Sequence, residues 1–285
     1  MEPFILEKAP NGAELLHITS WAARFPQISA GFTTRRGGVS GEPFTSLNCG
    51  LHVSDRPGDV IANREKLAEA LGIPAGRATY AEQVHGCDIA VISPADGGKG
   101  VYSREEAIQA KDGFITNEPG IFLHALFADC VPLYFYDPVH RAVGLSHAGW
   151  KGSVLQIARE TVSAMQRAYG SRPSELVAAI GPSIGVCCYE VDDAVIGRVR
   201  EALEQTGPSA AGNEGEFYIS KGNGKHMLNL QHFNRQIMIK AGILPSNIEV
   251  STLCTSCRTD LFFSHRKEGG RTGRMAAWIG IRPLS

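Results

Sequence analysis

At 285 residues, with 43% apolar and 20% charged side chains, the chain is long enough to bury a sizeable core and has the make-up of a soluble globular protein. Its 28 Lys and Arg nearly balance 29 Asp and Glu, so overall charge gives no reason to expect nucleic acid or an anionic membrane as partner. No apolar run approaches the roughly 20 residues of a spanning helix, and charges interrupt the short apolar pieces of MEPFILEKAPNGAELLHITSW, so neither a membrane span nor a signal peptide is expected. Seven cysteines, an odd number, predict a cytoplasmic protein with free thiols or metal ligands rather than a disulfide framework.

Residues 4–33 read as short strands. The segment TTRRGGVSGEPFTSLNCG (33–50) follows, glycine-rich and carrying twin arginines. It could offer backbone N–H groups and two guanidinium groups, Arg35 and Arg36, to an anion, or it could be a hairpin tip with solvated arginines. A helix is predicted from Asp59, as N-cap, to Leu71, stopped by Gly72 and Pro74. Thr79–Ile92 reads as a strand broken at His85-Gly86. A lone histidine there is an ordinary polar residue unless other ligands converge on it. Lys111-Asp112-Gly113 leads into the strand Phe114–Thr116.

The segment Ile121–Trp150 organises the chain: two apolar or aromatic runs, Ile121–Ala128 and Val131–Tyr136, and a third at Arg141–His147 suit buried strands. Asp137-Pro138-Val139-His140 reads as the turn between the last two. A hairpin centred between Pro138 and Val139 sets Cys130 opposite His147, close enough for both to hold one metal ion, although a one-residue slip would separate their faces. Pro132 is expected at an edge or irregularity. Asp129 is either an acid–base group or a turn former.

After Trp150, a single helix is predicted over Gly152–Gly170 with Ser153 as N-cap, its positive end near the same cleft. Leu176–Ile180 reads as a strand and Asp192–Gln205 as a helix. Gly207–Gly224 is expected as an exposed loop, and Asn229 caps a helix through Ala241. Ile248–Leu253 and Met275–Ile281 close the chain as strands. No repeat or linker divides it, and we expect one α/β domain over residues 1–285 with a mixed sheet and covering helices.

Two histidines and one thiolate (His85, Cys130 and His147) with an open fourth position would make a catalytic zinc site, a donor set also known for copper. A multicopper centre needs many clustered histidines. This chain has nine, dispersed, with no His-x-His. Cys254-x-x-Cys257 lacks a second Cys-x-x-Cys and reads as two ordinary thiols. Adjacent Cys187 and Cys188 on a strand would point to opposite faces.

Taken together, TTRRGGVS (33–40), SLNCGLHVSD (46–55), QVHG (83–86), DGFIT (112–116), ADCVPLYFYD (128–137), SHAGWKG (146–152), IGPSIGVCCYEV (180–191) and FFSHRKEGGRTGRMAAWIG (262–280) resemble the YfiH family, which carries the label of a multicopper polyphenol oxidase or laccase. Where that family has SxRR-like text, this chain has Ser264-His265-Arg266-Lys267. The resemblance implies a layered α/β/β/α fold with mixed sheet, akin to the cytotoxic necrotizing factor catalytic domain. It implies a metal, zinc or alternatively copper, on His85, Cys130 and His147. It also implies phosphorolysis of adenosine, inosine, guanosine and methylthioadenosine, with adenosine deamination. Arg35, Arg36, Asn48 and Arg266 are then expected to bind substrate or phosphate. Relatives assigned to peptidoglycan editing make a zinc amidase the alternative, and a non-catalytic nucleoside- or metal-binding protein is a third reading.

Overall fold

The computed structural model describes residues 1–205 and 214–283. Two six-stranded mixed sheets lie face to face. The first runs, edge to edge, Phe4–Lys8, Glu14–Ile18, Ile28–Thr33, Met275–Ile281, Phe122–Phe127 and Ala78–Tyr80, with only the last pair parallel. The second runs Ile248–Val250, Val177–Ile180, Val131–Asp137, Ala142–Ala148, Gly113–Thr116 and Ile89–Val91, parallel at both edges. A three-stranded sheet of Glu190–Asp192, Lys225–Leu228 and Tyr218–Gly222 stands beside them.

The alternation of side chains sorts three cores. In the central hairpin Tyr134, Tyr136, Val143 and Leu145 point at the other sheet, where Phe32, Phe127, Ala277 and Ile279 meet them. Val131, Leu133 and Phe135 point the opposite way, onto the helices Ile157–Tyr169 and Leu230–Lys240. Trp278, Phe122 and Leu126 face the helix Pro57–Leu71 on the outer side of the first sheet. The layering is therefore α/β/β/α, as the resemblance implies. Strands buried on both faces explain the near-continuous apolar runs read in the sequence. Each such fully buried side chain contributes about 1.5–3 kcal/mol relative to exposure.

Local boundaries differ from the sequence reading for identifiable reasons. Helix Pro57–Leu71 starts three residues early, with Arg56 as the N-cap in place of Asp59, because Pro57 at its first position loses no hydrogen bond there. The helix expected over 152–170 is two: Trp150–Val154 and Ile157–Tyr169, separated where Gln156 takes a left-handed conformation (φ 60°). Gly149, not Ser153, is the first cap. The helix that follows His147 is therefore only five residues long, and a full-length dipole does not face the cleft. The loop expected over 207–224 contains the strand Tyr218–Gly222, while residues 206–213 lie outside the described residues. Thr79–Ile92 is not one broken strand but two, Ala78–Tyr80 in the first sheet and Ile89–Val91 in the second. The helix from Leu230 is capped as expected, with the Asn229 side chain accepting the His232 N–H.

The hairpin itself pairs Val131 with Ala148 and Asp137 with Ala142. The predicted register is off by two residues, because the Asp137 carboxylate accepts the Val139 and His140 N–H groups and Arg141 adopts a left-handed conformation, widening the loop. A two-residue shift preserves faces. Cys130 and His147 therefore still share the side that looks at the first sheet, now on a diagonal. Pro132 sits in an interior strand, near its end, where its carbonyl accepts Gly181 N–H.

His124, in the strand Phe122–Phe127, is buried and stacked on Tyr80 with ring centroids 4.8 Å apart, its Nδ1–H donating to the Phe122 carbonyl. Burial pushes its pKa down to about 4, with the Arg64 charge adding to the shift and the Phe122 hydrogen bond opposing it. The unfolded chain then binds a proton below roughly pH 6.5 that the folded one refuses. Stability contributed by this site is full above that pH and is lost as pH falls toward 4, by about 3 kcal/mol in all. We expect the urea midpoint to drop between pH 7 and pH 5, and to drop less in His124→Asn, which keeps a donor but cannot titrate. Equal slopes in the two proteins would exclude His124 as the cause.

Candidate active site

Three neighbouring strands of the second sheet bring Asp112, His147 and Cys130 together at one end. Gly113 pairs with Ser146, so Asp112 adjoins His147, whose N–H donates to the Asp112 carbonyl. Cys130 immediately precedes the strand on the other side of His147. His85 arrives from the connection between the two sheets. Its φ of 60° is unusual for a residue with a side chain. The Asp112 carboxylate holds that conformation by accepting the backbone N–H groups of Val84, His85 and Gly86 at 3.1, 3.0 and 2.7 Å. Asp112 Oδ1 also accepts His147 Nδ1–H at 2.8 Å. One buried carboxylate thus positions two ring systems.

The ligand atoms of His85, Cys130 and His147 lie within 4.8 Å of one another, and the two imidazole rings meet edge to face at 4.8 Å. Asp112 fixes the Nδ1–H tautomer of His147 and leaves Nε2 free to ligate, the usual carboxylate–histidine support of a metal. Gly149 keeps the centre open: a Cβ there would stand 3.0 Å from His85 Cδ2 and 3.1 Å from Cys130 Sγ. Donor chemistry, spacing and open space all suit a divalent transition metal with a vacant position.

Without an ion, electrostatics ionise the sulfur but keep a second proton on the His147 ring. Burial opposes ionisation of Cys130, but the His147 charge and hydrogen bonds from His147 and His85 outweigh it and bring the thiol down to about 6. For His147, burial disfavours the cation, yet the Cys130 charge and the Asp112 hydrogen bond lift it to about 9. Asp112 is opposed by burial as well, and the His147 hydrogen bond and charge hold it below the usual carboxylate range. These opposite shifts favour a thiolate–imidazolium pair, in which the sulfur is ready to ligate and His147 gives up its Nε2 proton when an ion binds.

The centre forms part of the wall of a cleft of about 580 Å³, a volume ordinary for a small-molecule site. Trp150 and Tyr189 offer flat surfaces to it, and Lys151, Arg266 and Arg274 give it positive charge. The Arg274 guanidinium donates to the carbonyls of Thr272 and Gly273, and that of Arg266 to the Glu190 carbonyl, so among the described residues neither guanidinium is paired with a carboxylate. His52, at the far wall, is driven down to about 4 by burial and then by the Arg274 charge, and is neutral at pH 7.

The other residues expected to bind substrate lie elsewhere. Arg35 donates to Thr45 O, Thr259 O and Glu268, and packs over the Phe263 ring. Arg36 is engaged by Asp260 and Glu14. Neither lines the cleft. Their structural effect is indirect, because Glu268 also accepts Ser264 N–H and Thr272 Oγ1–H and so anchors the loop that carries Arg266. Asn48 is fully buried behind Arg274, whose N–H donates to its Oδ1. Asp129, left open between two roles, is saturated by Thr255, Ser264 and the Arg266 N–H. These bonds tie the loops of Thr255 and Ser264 to the residue beside Cys130. The sequence reading does not single out Asp112 as a site residue. Its position one strand away from His147 was the available signal.

Cys187 and Cys188 lie in a turn, not a strand, and their sulfurs do not diverge. Both face Cys257, at 3.5 and 3.4 Å, so the reading of Cys254 and Cys257 as ordinary thiols without a second ligand pair needs correction.

A family profile described as "Multi-copper polyphenol oxidoreductase laccase" matches residues 29–282. A curated Bacillus subtilis protein, "Purine nucleoside phosphorylase YlmD", is 43% identical over 270 residues, covering 94% of each chain. The crystal structure of YlmD from Geobacillus stearothermophilus superposes with a TM-score of 0.90 at 42% identity, covering 99% of this chain and 100% of that one. The crystal structure of Bacillus licheniformis hypothetical protein YfiH gives 0.88 at 44% identity, covering 94% and 96%.

Proposed function

The chain belongs to the multi-copper polyphenol oxidoreductase laccase family, and within it we propose that this protein is a zinc-dependent purine nucleoside phosphorylase. The observation that carries this reading is one cleft holding both a His₂Cys donor set and arginines without carboxylate partners. An anionic co-substrate needs the second as much as the chemistry needs the first. Relatives named as purine nucleoside phosphorylases support the substrate class. Zinc is favoured over a multicopper centre by the ligands: among the described residues the only candidate metal group that contains histidine is a single His₂Cys set.

His85, Cys130 and His147 would hold the ion, which supplies Lewis acidity in the cleft. Arg266 and Arg274 orient phosphate, with Lys151 as a further cation at the rim. Trp150 and Tyr189 bracket the purine. A phosphate oxygen bonds to ribose C1′ as the C1′–N9 bond breaks. The electron pair leaves with the base, which takes up a proton. We extend the proposal to adenosine deamination in the same cleft, where oxygen from water replaces the amino group at C6 and ammonia departs.

The test is chromatography of adenosine, inosine and guanosine incubated with and without phosphate. Phosphate-dependent release of free base and ribose 1-phosphate is expected, with metal analysis returning zinc. No turnover by folded, zinc-loaded protein, together with cleavage of a muropeptide, would move the assignment to a cell-wall amidase.

A further inference from the structure

A second group of metal-ligating side chains stands apart from the His₂Cys centre. Cys187 and Cys188 come from the turn after Gly185, and Cys254 and Cys257 from the turn after Leu253. Their four sulfurs all lie within 4.8 Å of one another, and Cys257 Sγ is 3.5 Å from Cys187 Sγ and 3.4 Å from Cys188 Sγ. A disulfide needs about 2.0 Å. A tetrahedron with Zn–S bonds of about 2.3 Å has edges near 3.8 Å, a few tenths of an ångström longer than the two separations to Cys257 and inside the 4.8 Å limit that holds for all four sulfurs. The Gly185 N–H donates to Cys254 Sγ at 3.2 Å, a bond that strengthens when the sulfur is a thiolate. Gly185 also leaves room for the group, since a Cβ there would stand 3.2 Å from Cys187 Sγ and 3.5 Å from Cys254 Sγ.

We propose that Cys187, Cys188, Cys254 and Cys257 bind a structural Zn²⁺ ion. Four protein thiolates with no open position make a closed site, structural rather than catalytic. Each thiol gives up its proton to solvent on binding, and no sulfur changes oxidation state. The ion clips two turns that are far apart in sequence, 69 residues between Cys188 and Cys257. The Thr255 N–H to Ser183 O hydrogen bond and the Gly185–Cys254 contact join the same turns.

The clip has a functional location. The first turn carries Ile184 and Tyr189, both on the wall of the cleft, and Ile184 N–H donates to Asp129 O. The second carries Thr255, whose hydroxyl donates to the Asp129 carboxylate at 2.6 Å, one residue from Cys130. Zinc in the tetrathiolate site therefore braces the cleft wall without touching substrate. The inference is independent of which reaction the His₂Cys centre performs.

The experiment is metal analysis and cobalt substitution of three full-length proteins: the native chain, Cys130→Ala, and the double variant Cys187→Ser, Cys257→Ser. The double variant is expected to lose one equivalent of zinc relative to the native chain, and the cobalt–thiolate absorption of a tetrahedral tetrathiolate site should vanish with it. Cys130→Ala should keep that absorption. Unchanged zinc content in the double variant would overturn the proposal, as would loss of the tetrathiolate spectrum in Cys130→Ala alone. Should the double variant fail to fold, iodoacetamide labelling of the native protein decides. Exposed Cys187 and Cys257 are expected to be protected until a chelator is added, and labelling of both regardless of zinc would exclude the site.

Discussion

Replacing Cys130 with alanine is expected to lower phosphorolysis by about 10³-fold or more while leaving the fold in place. Loss of a metal ligand forfeits several kcal/mol of charge stabilisation, and each 1.4 kcal/mol is a factor of ten in rate. The remaining donors are two imidazoles, one of which has also lost the anionic neighbour that contributes to its raised pKa. The structural cost is small, because Cys130 sits at the rim of the core and is only partly buried. Steady-state rates, bound metal and thermal midpoint should be measured on one preparation. Full activity in the variant would remove the His₂Cys centre from the mechanism.

Asp112→Ala is expected to damage both the site and the fold, and Asp112→Asn to damage mainly the site. Alanine strands three backbone N–H groups, those of Val84, His85 and Gly86, and the Nδ1–H of His147. A buried donor left unsatisfied costs about 1–3 kcal/mol, so a loss of several kcal/mol in unfolding free energy is anticipated. Asparagine keeps one acceptor oxygen but no charge, so the His147 ring loses its anionic support. Metal affinity should then fall about 10- to 100-fold, the usual penalty for removing such a partner. Competition with a chromophoric chelator measures that ratio, and denaturant titration measures the stability difference. Native metal affinity in Asp112→Asn would mean that neutral hydrogen bonding alone orients the ligands.

Much of this was legible from residues alone because burial leaves a mark on composition. The apolar runs of Ile121–His147 identify strands covered on both faces. Their alternation places Cys130 and His147 on one face even though the turn is wider than its four-residue core suggests. What could not be read depends on chain segments meeting across the fold. Asp112 acts on residues 84–86 and on His147, and no local pattern announces that a carboxylate beside a glycine will accept four hydrogen bonds. Arg35 and Arg36 look like anion ligands in isolation, and only the position of Glu268, Asp260 and Glu14 shows them neutralised. The four cysteines share one turn-to-turn contact between distant segments. An assumption of strand geometry at Cys187-Cys188 hid it.

His85 and Cys130 both enter the candidate metal centre from connections that carry the chain from the first six-stranded sheet to the second, Tyr80 to Ile89 and Phe127 to Val131, whereas His147 lies within a strand of the second. The centre consequently works as a gauge of how the two sheets are seated. A shift between the layers pulls on both connections and so moves His85 and Cys130 against His147, and distances of a few tenths of an ångström decide whether three donors converge. Contacts deep in the sandwich and remote from the cleft, such as the Tyr134 hydroxyl donating to Gly31 O at 2.8 Å, then enter the tolerances of catalysis as well as the sum of folding energies. In such a molecule, selection on turnover and selection on interlayer packing act on the same coordinate.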